Sequence, residues 1–241
     1  MTDSESTRAT PAAEPDATPS IRRAAMLTGG MGLVFSVLFT VSVVLVLSVP
    51  GAKASEADLA AFYGGDVRVA PVAVGLYVMP FSGIAFIWFA VALRMWAAAS
   101  SSIRTELQSN LQFVGGIAFV ILMFVASAAS AVNAVAIEVE GAPMDPSVAR
   151  LFPTVGSVLV LFFAIRMAAM FVFTTSAIAR RGQVLPRWFT GIGYVVGAVL
   201  LLSPVFATVL VLVFPAWVTV LCLLILRAAR NMSDTVPFAE R

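Results

Sequence analysis

Arg166 stands in the apolar run 159–173, LVLFFAIRMAAMFVF, where a permanent charge is out of keeping with everything around it. Its guanidinium offers five N–H donors in a planar fork, a shape that suits phosphate and carboxylate. Depth measured from the middle of each apolar run puts Ser82, Ser127, Tyr194 and Trp217 at a similar level, together with Pro80 and Pro215. Each proline lacks an N–H and frees the carbonyl one turn earlier, here those of Leu76 and Val211. Freed carbonyls, hydroxyls and aromatic faces are all acceptable neighbours for a guanidinium. The candidate polar pocket is therefore Arg166, Ser82, Ser127, Tyr194 and Trp217. Two roles stay open for Arg166. It is an open positive site for an anion such as a lipid headgroup or a carboxylate-bearing solute, or a structural arginine holding the helices in register.

What the sequence lacks narrows the chemistry. There is no histidine, which removes the commonest general base and the commonest metal ligand together. No Asp or Glu lies inside any of the apolar runs, so clustered acids for metal-dependent chemistry within the membrane are missing. The expectation is no catalytic residue, no metal, no cofactor and no enzyme. The single cysteine, Cys222, rules out an intrachain disulfide and reads as a small buried hydrophobe. Gly29, Gly30 and Gly32 lie inside an apolar run and read as packing positions, not as a phosphate loop. A net charge of +2 does not point to nucleic acid, because the arginines flank apolar segments.

The elements that must position Arg166 are membrane-spanning helices. Of 241 residues 60% are hydrophobic and only 12% charged, against about a quarter charged in a soluble domain. A central arginine costs about 2.5–3.5 kcal/mol on insertion scales, and each strongly apolar residue returns about 0.3–0.6 kcal/mol. The eleven Val, Leu, Ile and Phe from Val155 to Phe173 outweigh it, so the segment inserts.

In chain order, residues 1–20 are polar and Pro-rich and read as a disordered cytoplasmic tail. Spans are expected at about 24–49, 72–96, 111–137, 150–179, 186–202 and 205–226, a six-span domain over 21–230, with a short cytoplasmic tail at 231–241. The apolar run from Ala24 is too long for a secretory signal core of about 7–15 residues. Ser55 and Asp58 have the spacing of a capping box and open a short interfacial helix ended by Gly64 and Gly65. Arg94 and Trp96 read as an interfacial anchor pair. Asp145 and Pro146 read as the start of span four, and Arg180, Arg181 and Gly182 as its end. The stretch 185–226 would reach about 60 Å as one helix, twice the hydrocarbon thickness, so it folds back at Ser203 and Pro204.

Arginine fixes the orientation. Arg22, Arg23, Arg94, Arg104, Arg180, Arg181, Arg187, Arg227 and Arg230 fall on one side, against Lys53, Arg68 and Arg150 on the other. The second side also carries Glu56, Asp58, Asp66, Glu138, Glu140 and Asp145. The fold class is thus an all-α membrane protein, a six-transmembrane-helix bundle with both termini cytoplasmic. Gly193 and Gly197 have GxxxG spacing, suited either to a homo-oligomer interface or to packing within the chain. Thr174, Thr175 and Ser176 are expected to bond back to their own helix. Asn133 reads as a satisfied or water-exposed amide and not as a site.

Three stretches carry a resemblance: 75–89 (GLYVMPFSGIAFIWF), 166–176 (RMAAMFVFTTS) and 184–188 (VLPRW). The chain resembles a family of actinobacterial multi-spanning membrane proteins that carries no assigned function. It covers spans two to six and implies a multi-pass location in the bacterial cytoplasmic membrane, with the lipid bilayer as partner. The functional expectation is a non-catalytic structural or regulatory membrane component. The alternative is a small carrier or channel for an anionic or amphipathic ligand, using Arg166.

Overall fold

Helix periodicity and the need to satisfy every backbone group without water lead to helices throughout. The structure, a computed structural model, describes residues 17–47, 55–64, 74–100, 106–140, 146–202 and 208–231, and every element among them is helical. Helix α1 runs Ala17–Leu47, beginning inside the stretch that composition marks as a tail. Helix α2 runs Glu56–Gly64. A π-helical turn, Val74–Val78, leads into α3, Met79–Ser100. Helix α4 runs Glu106–Glu140. Helix α5, Pro146–Val158, passes through a π-helical segment, Leu159–Ala164, into α6, Ile165–Gly182. Helix α7 runs Arg187–Leu202. A 3-10 turn, Thr208–Leu212, leads into α8, Val213–Asn231.

Among the described residues five stretches are long and apolar enough to cross a membrane: Arg22–Leu45, Met79–Ala98, Glu106–Ile137, Arg150–Gly182 and Leu210–Arg230. The remaining apolar run forms α7, whose 16 residues reach about 24 Å, short of a hydrocarbon core of about 30 Å. The turn expected at Ser203 and Pro204 lies outside the described residues.

The two spans containing Pro80 and Pro215 handle them alike. Pro80 is the second residue of α3 and Pro215 the third of α8, each just after a turn that is not α-helical. A π or 3-10 turn changes which carbonyl each N–H must reach, so the proline falls where the ladder is already being reset. The end of α6 departs slightly from expectation. Gly182 is still helical, and the left-handed residue is Gln183, at φ 53°. The chain then returns through Leu185, which is buried, and the Val184 N–H donates to the Ala179 carbonyl at 3.3 Å.

Helix α1 packs against α3 and α8, α4 bridges α3 and the α5–α6 unit, and α7 lies against α6. Five helices send phenylalanines to a common centre: Phe35 from α1, Phe86 and Phe89 from α3, Phe119 from α4, Phe171 from α6 and Phe214 from α8. Phe86 is the hub, with ring centroids 4.8 Å from Phe35, 5.1 Å from Phe171, 5.2 Å from Phe119 and 5.9 Å from Phe214. All are almost completely buried. The outer helix faces carry Val37, Phe81, Trp88, Met95 and Val114, all well exposed. An apolar exterior around an apolar core is the arrangement a bilayer requires. Trp96, expected at the interface, is instead 3% exposed and packs inward, because Arg94 and Met95 occupy the outward positions beside it.

Glycine contacts fix the helix registers. Gly29 lies against Leu226 and Gly32 against Cys222, so α1 and α8 are antiparallel and Arg22 and Arg23 stand level with Arg227 and Arg230. Gly115 lies against Met170 and Gly116 against Phe171, which brings the first turn of α4 level with Arg180 and Arg181. Arg94 reaches that level too, donating from Nη2 to the Asn110 Oδ1 at 3.0 Å. Arg22 and Arg23 of α1, Arg94 of α3, Arg180 and Arg181 of α6, and Arg227 and Arg230 of α8 thus gather at one end of the bundle.

Candidate functional site

Arg166 follows immediately on a break in the helical ladder. The Ile165 N–H bonds to the Val160 carbonyl, five residues back, and therefore does not serve Leu161 as it would in an α-helix. The Arg166 Nη1 covers this stretch, donating to the Phe162 carbonyl and, at 3.4 Å, to the Leu161 carbonyl. The guanidinium carbon also lies 5.8 Å from the Phe162 ring centroid, within cation–π range. All these partners belong to the helix that carries the arginine. Arg166 does bond to main-chain carbonyls, as the residue types suggested, but to those of its own helix and not to the ones expected to be freed by Pro80 and Pro215.

The direction of the side chain changes its depth. Helical Cβ atoms tilt toward the helix N-terminus, and here that leads away from the basic end. The guanidinium consequently sits at the level of Leu161 and Phe162, about one turn beyond its own Cα. Eighteen residues separate Phe162 from Arg180, or about 27 Å of helix. With Arg180 at one edge of a hydrocarbon layer about 30 Å thick, the charge lies close to the other edge. Arg166 is half-buried, and its head is displaced along the helix axis from its own Cα, away from Arg180.

The other candidate residues do not converge on it. Ser82 is buried and donates to the Phe35 carbonyl at 3.5 Å, linking α3 to α1. Ser127 is buried in α4. Tyr194 is half-buried with its ring 6.2 Å from that of Phe173. Trp217 stacks on Phe189 at 5.5 Å and 16°, with its indole nitrogen close to Gly193. Ser82, Tyr194 and Trp217 each pack against a different neighbour and away from the Arg166 guanidinium. A groove of about 480 Å³ does open between α1 and α3, but Met31, Val34, Phe81, Ile84 and Trp88 line it and it belongs to the apolar exterior.

A buried polar pair that the residue types alone did not single out lies nearer the basic end. Gln112 of α4, 3% exposed, donates from Nε2 to the Thr175 Oγ1 of α6 at 2.6 Å. Thr175 donates in turn to the Phe171 carbonyl at 2.7 Å. Thr174 and Ser176 also bond back to their own helix, at 2.8 Å to Met170 and Val172. The available signal was an amide inside an apolar run, since a buried Gln must find a partner. Asn133 is buried and has a partner, so of the two expected states it is not the water-exposed one.

Gly193 and Gly197 take the intramolecular option. Gly193 lies against Ser176, and a Cβ at Gly197 would stand 3.0 Å from the Phe173 ring. That face of α7 is filled by α6. Cys222 is fully buried, its Sγ 3.8 Å from the Thr28 carbonyl. Among the described residues no three Cys, Asp or Glu side chains are grouped as metal ligands.

Fold and site together define a protein that, among the described residues, is all-helical with an apolar exterior and five helices of membrane-crossing length and composition. Compared with protein-family models, curated proteins and solved structures, the chain finds no match.

Proposed function

We propose that this chain is an integral membrane protein with six crossings, both termini cytoplasmic, serving as a non-catalytic structural or regulatory component of a bacterial cytoplasmic membrane. The observation that carries this reading is the phenylalanine centre. Rings from five helices meet within 4.8–6.3 Å of one another where a carrier or channel would need a polar route. Arg166 bonds to carbonyls of its own helix, which weakens the case for a central anion path. The inward-facing groups are rings and small residues that hold helices together.

The sixth crossing is α7. Its antiparallel register against α6 carries the chain away from the basic end, and Arg227 and Arg230 bring it back. A charge bias of this kind directs basic ends to the cytoplasm. Kinship with the actinobacterial family belongs to the same reading and agrees with a bacterial membrane.

Reporter fusions after Glu140 and Arg181 test the topology, and opposite compartments are expected, with both termini inside. Finding the two in one compartment would overturn it. The functional half is tested by reconstituting the full chain in vesicles and measuring anion release. Release no faster than from protein-free vesicles is expected, and fast, saturable release would favour the carrier.

A further inference from the structure

Arg166 uses only part of its hydrogen-bonding capacity. Its two bonds both come from Nη1 and end on carbonyls of its own helix, which leaves Nε and Nη2 without partners among the described residues. These nitrogens are not sealed inside the protein, because neither is among the buried polar atoms lacking a partner. No acidic residue lies in the run 146–182 to offset the charge. With Arg180 taken as the basic edge of a hydrocarbon layer about 30 Å thick, the side chain reaches toward the opposite edge.

The described part of the neighbouring helix ends beside the Arg166 backbone. Gly193 faces Ser176 and Gly197 faces Phe173, an antiparallel register in which the residue numbers sum to about 370. On that register Leu202, the last residue of α7, stands opposite residues 167–168, beside Arg166. Phe163, 54% exposed, gives the adjacent helix surface an apolar face suited to an acyl chain. A cationic fork at headgroup depth, flanked by aromatic surface and lacking a protein carboxylate, matches the phosphodiester of a phospholipid with its chains running down the helix.

We propose that Arg166 is a binding site for the phosphate of a phospholipid in the leaflet opposite the basic end, with Nε and Nη2 donating to phosphate oxygens while Nη1 holds the π-helical carbonyls. This rests on the helices lying in a bilayer and not on whether the protein is structural or a carrier. Failure of the topology fusions would remove the bilayer frame, whereas failure of the binding test would remove the site alone.

The test is native mass spectrometry of the purified full chain titrated with phosphatidylglycerol, comparing wild type, Arg166→Gln and Arg166→Lys. Glutamine can still donate to the carbonyls but carries no charge, and the affinity of the tightest lipid site is expected to fall about tenfold. Lysine keeps the charge and loses the fork, with an expected fall of about threefold. Because lysine retains the cation, that variant carries the test if glutamine prevents folding. The triple variant R180Q/R181Q/R187Q leaves the Arg166 site intact, so its tightest lipid is expected to remain. Superimposable curves for wild type and both Arg166 variants would overturn the proposal. So would displacement of the lipid by millimolar inorganic phosphate, which would mark a site for a free anion.

Discussion

Arg166 was conspicuous as a charge in an apolar run, yet its position in space depends on two facts that its neighbours in sequence do not display directly. One is the direction of α6, which starts at the end away from the arginine-rich one. The other is the π-helical segment Leu159–Ala164, a register shift with no glycine or proline inside it to announce it. The first could have been derived from the charge bias together with the tilt of helical Cβ atoms. The second lies against α4 and leaves no pattern in the sequence. Gln112 and Thr175 illustrate the same limit, because their pairing joins positions 63 residues apart. That bond is predicted to be modest. A double-mutant cycle of Gln112→Met and Thr175→Val, read by thermal unfolding in detergent, should give a coupling energy of about 0.6 kcal/mol. No measurable coupling would mean that the two side chains are held by packing alone.

At the scale of elements, local signals were strongest where a side chain closes its own helix. Ser55 and Asp58 form a complete capping box. The Asp58 N–H donates to the Ser55 Oγ at 3.1 Å, and the Ser55 N–H and Oγ–H donate to the Asp58 Oδ2 at 3.1 and 2.7 Å. The hydroxyl bond first, and the backbone bond second, hold the Asp58 carboxyl below its ordinary pKa. Stabilisation of α2 by the ionised carboxylate is therefore fully present above the ordinary value and lost as the pH falls through the lowered one. Protection of the α2 amides against hydrogen exchange, corrected for intrinsic rate, should be constant at neutral pH and decline in strong acid. Asp58→Ala should remove that decline and lower protection at neutral pH; an unchanged acid profile in the variant would show that another group is responsible. Local spacing could not decide the GxxxG pair of α7. Two glycines four residues apart suit any close helix neighbour, and only the tertiary register assigns them to α6.

The whole molecule depends on which face of each helix turns inward. Hydrophobicity cannot report this when both lipid and core are apolar: composition revealed apolar runs of spanning length but did not distinguish Phe86 from Phe81 on the same helix. Phe86 meets five other phenylalanine rings and is fully buried, whereas Phe81 is 60% exposed on the outside. In a bilayer the transfer of a ring from lipid to core gains little, so dispersion contacts and a close fit must carry the stability. Removing Phe86 would leave a hole that the five surrounding rings cannot close without abandoning their own contacts, and Phe86→Ala should cost about 3–5 kcal/mol. At Phe81→Ala lipid or detergent fills the space, and the change should stay within about 0.5 kcal/mol. Unfolding of both variants under identical detergent conditions measures the difference directly. Equal costs would mean that the phenylalanine centre is not what holds the five helices together, and the closed-bundle reading of the protein would lose its support.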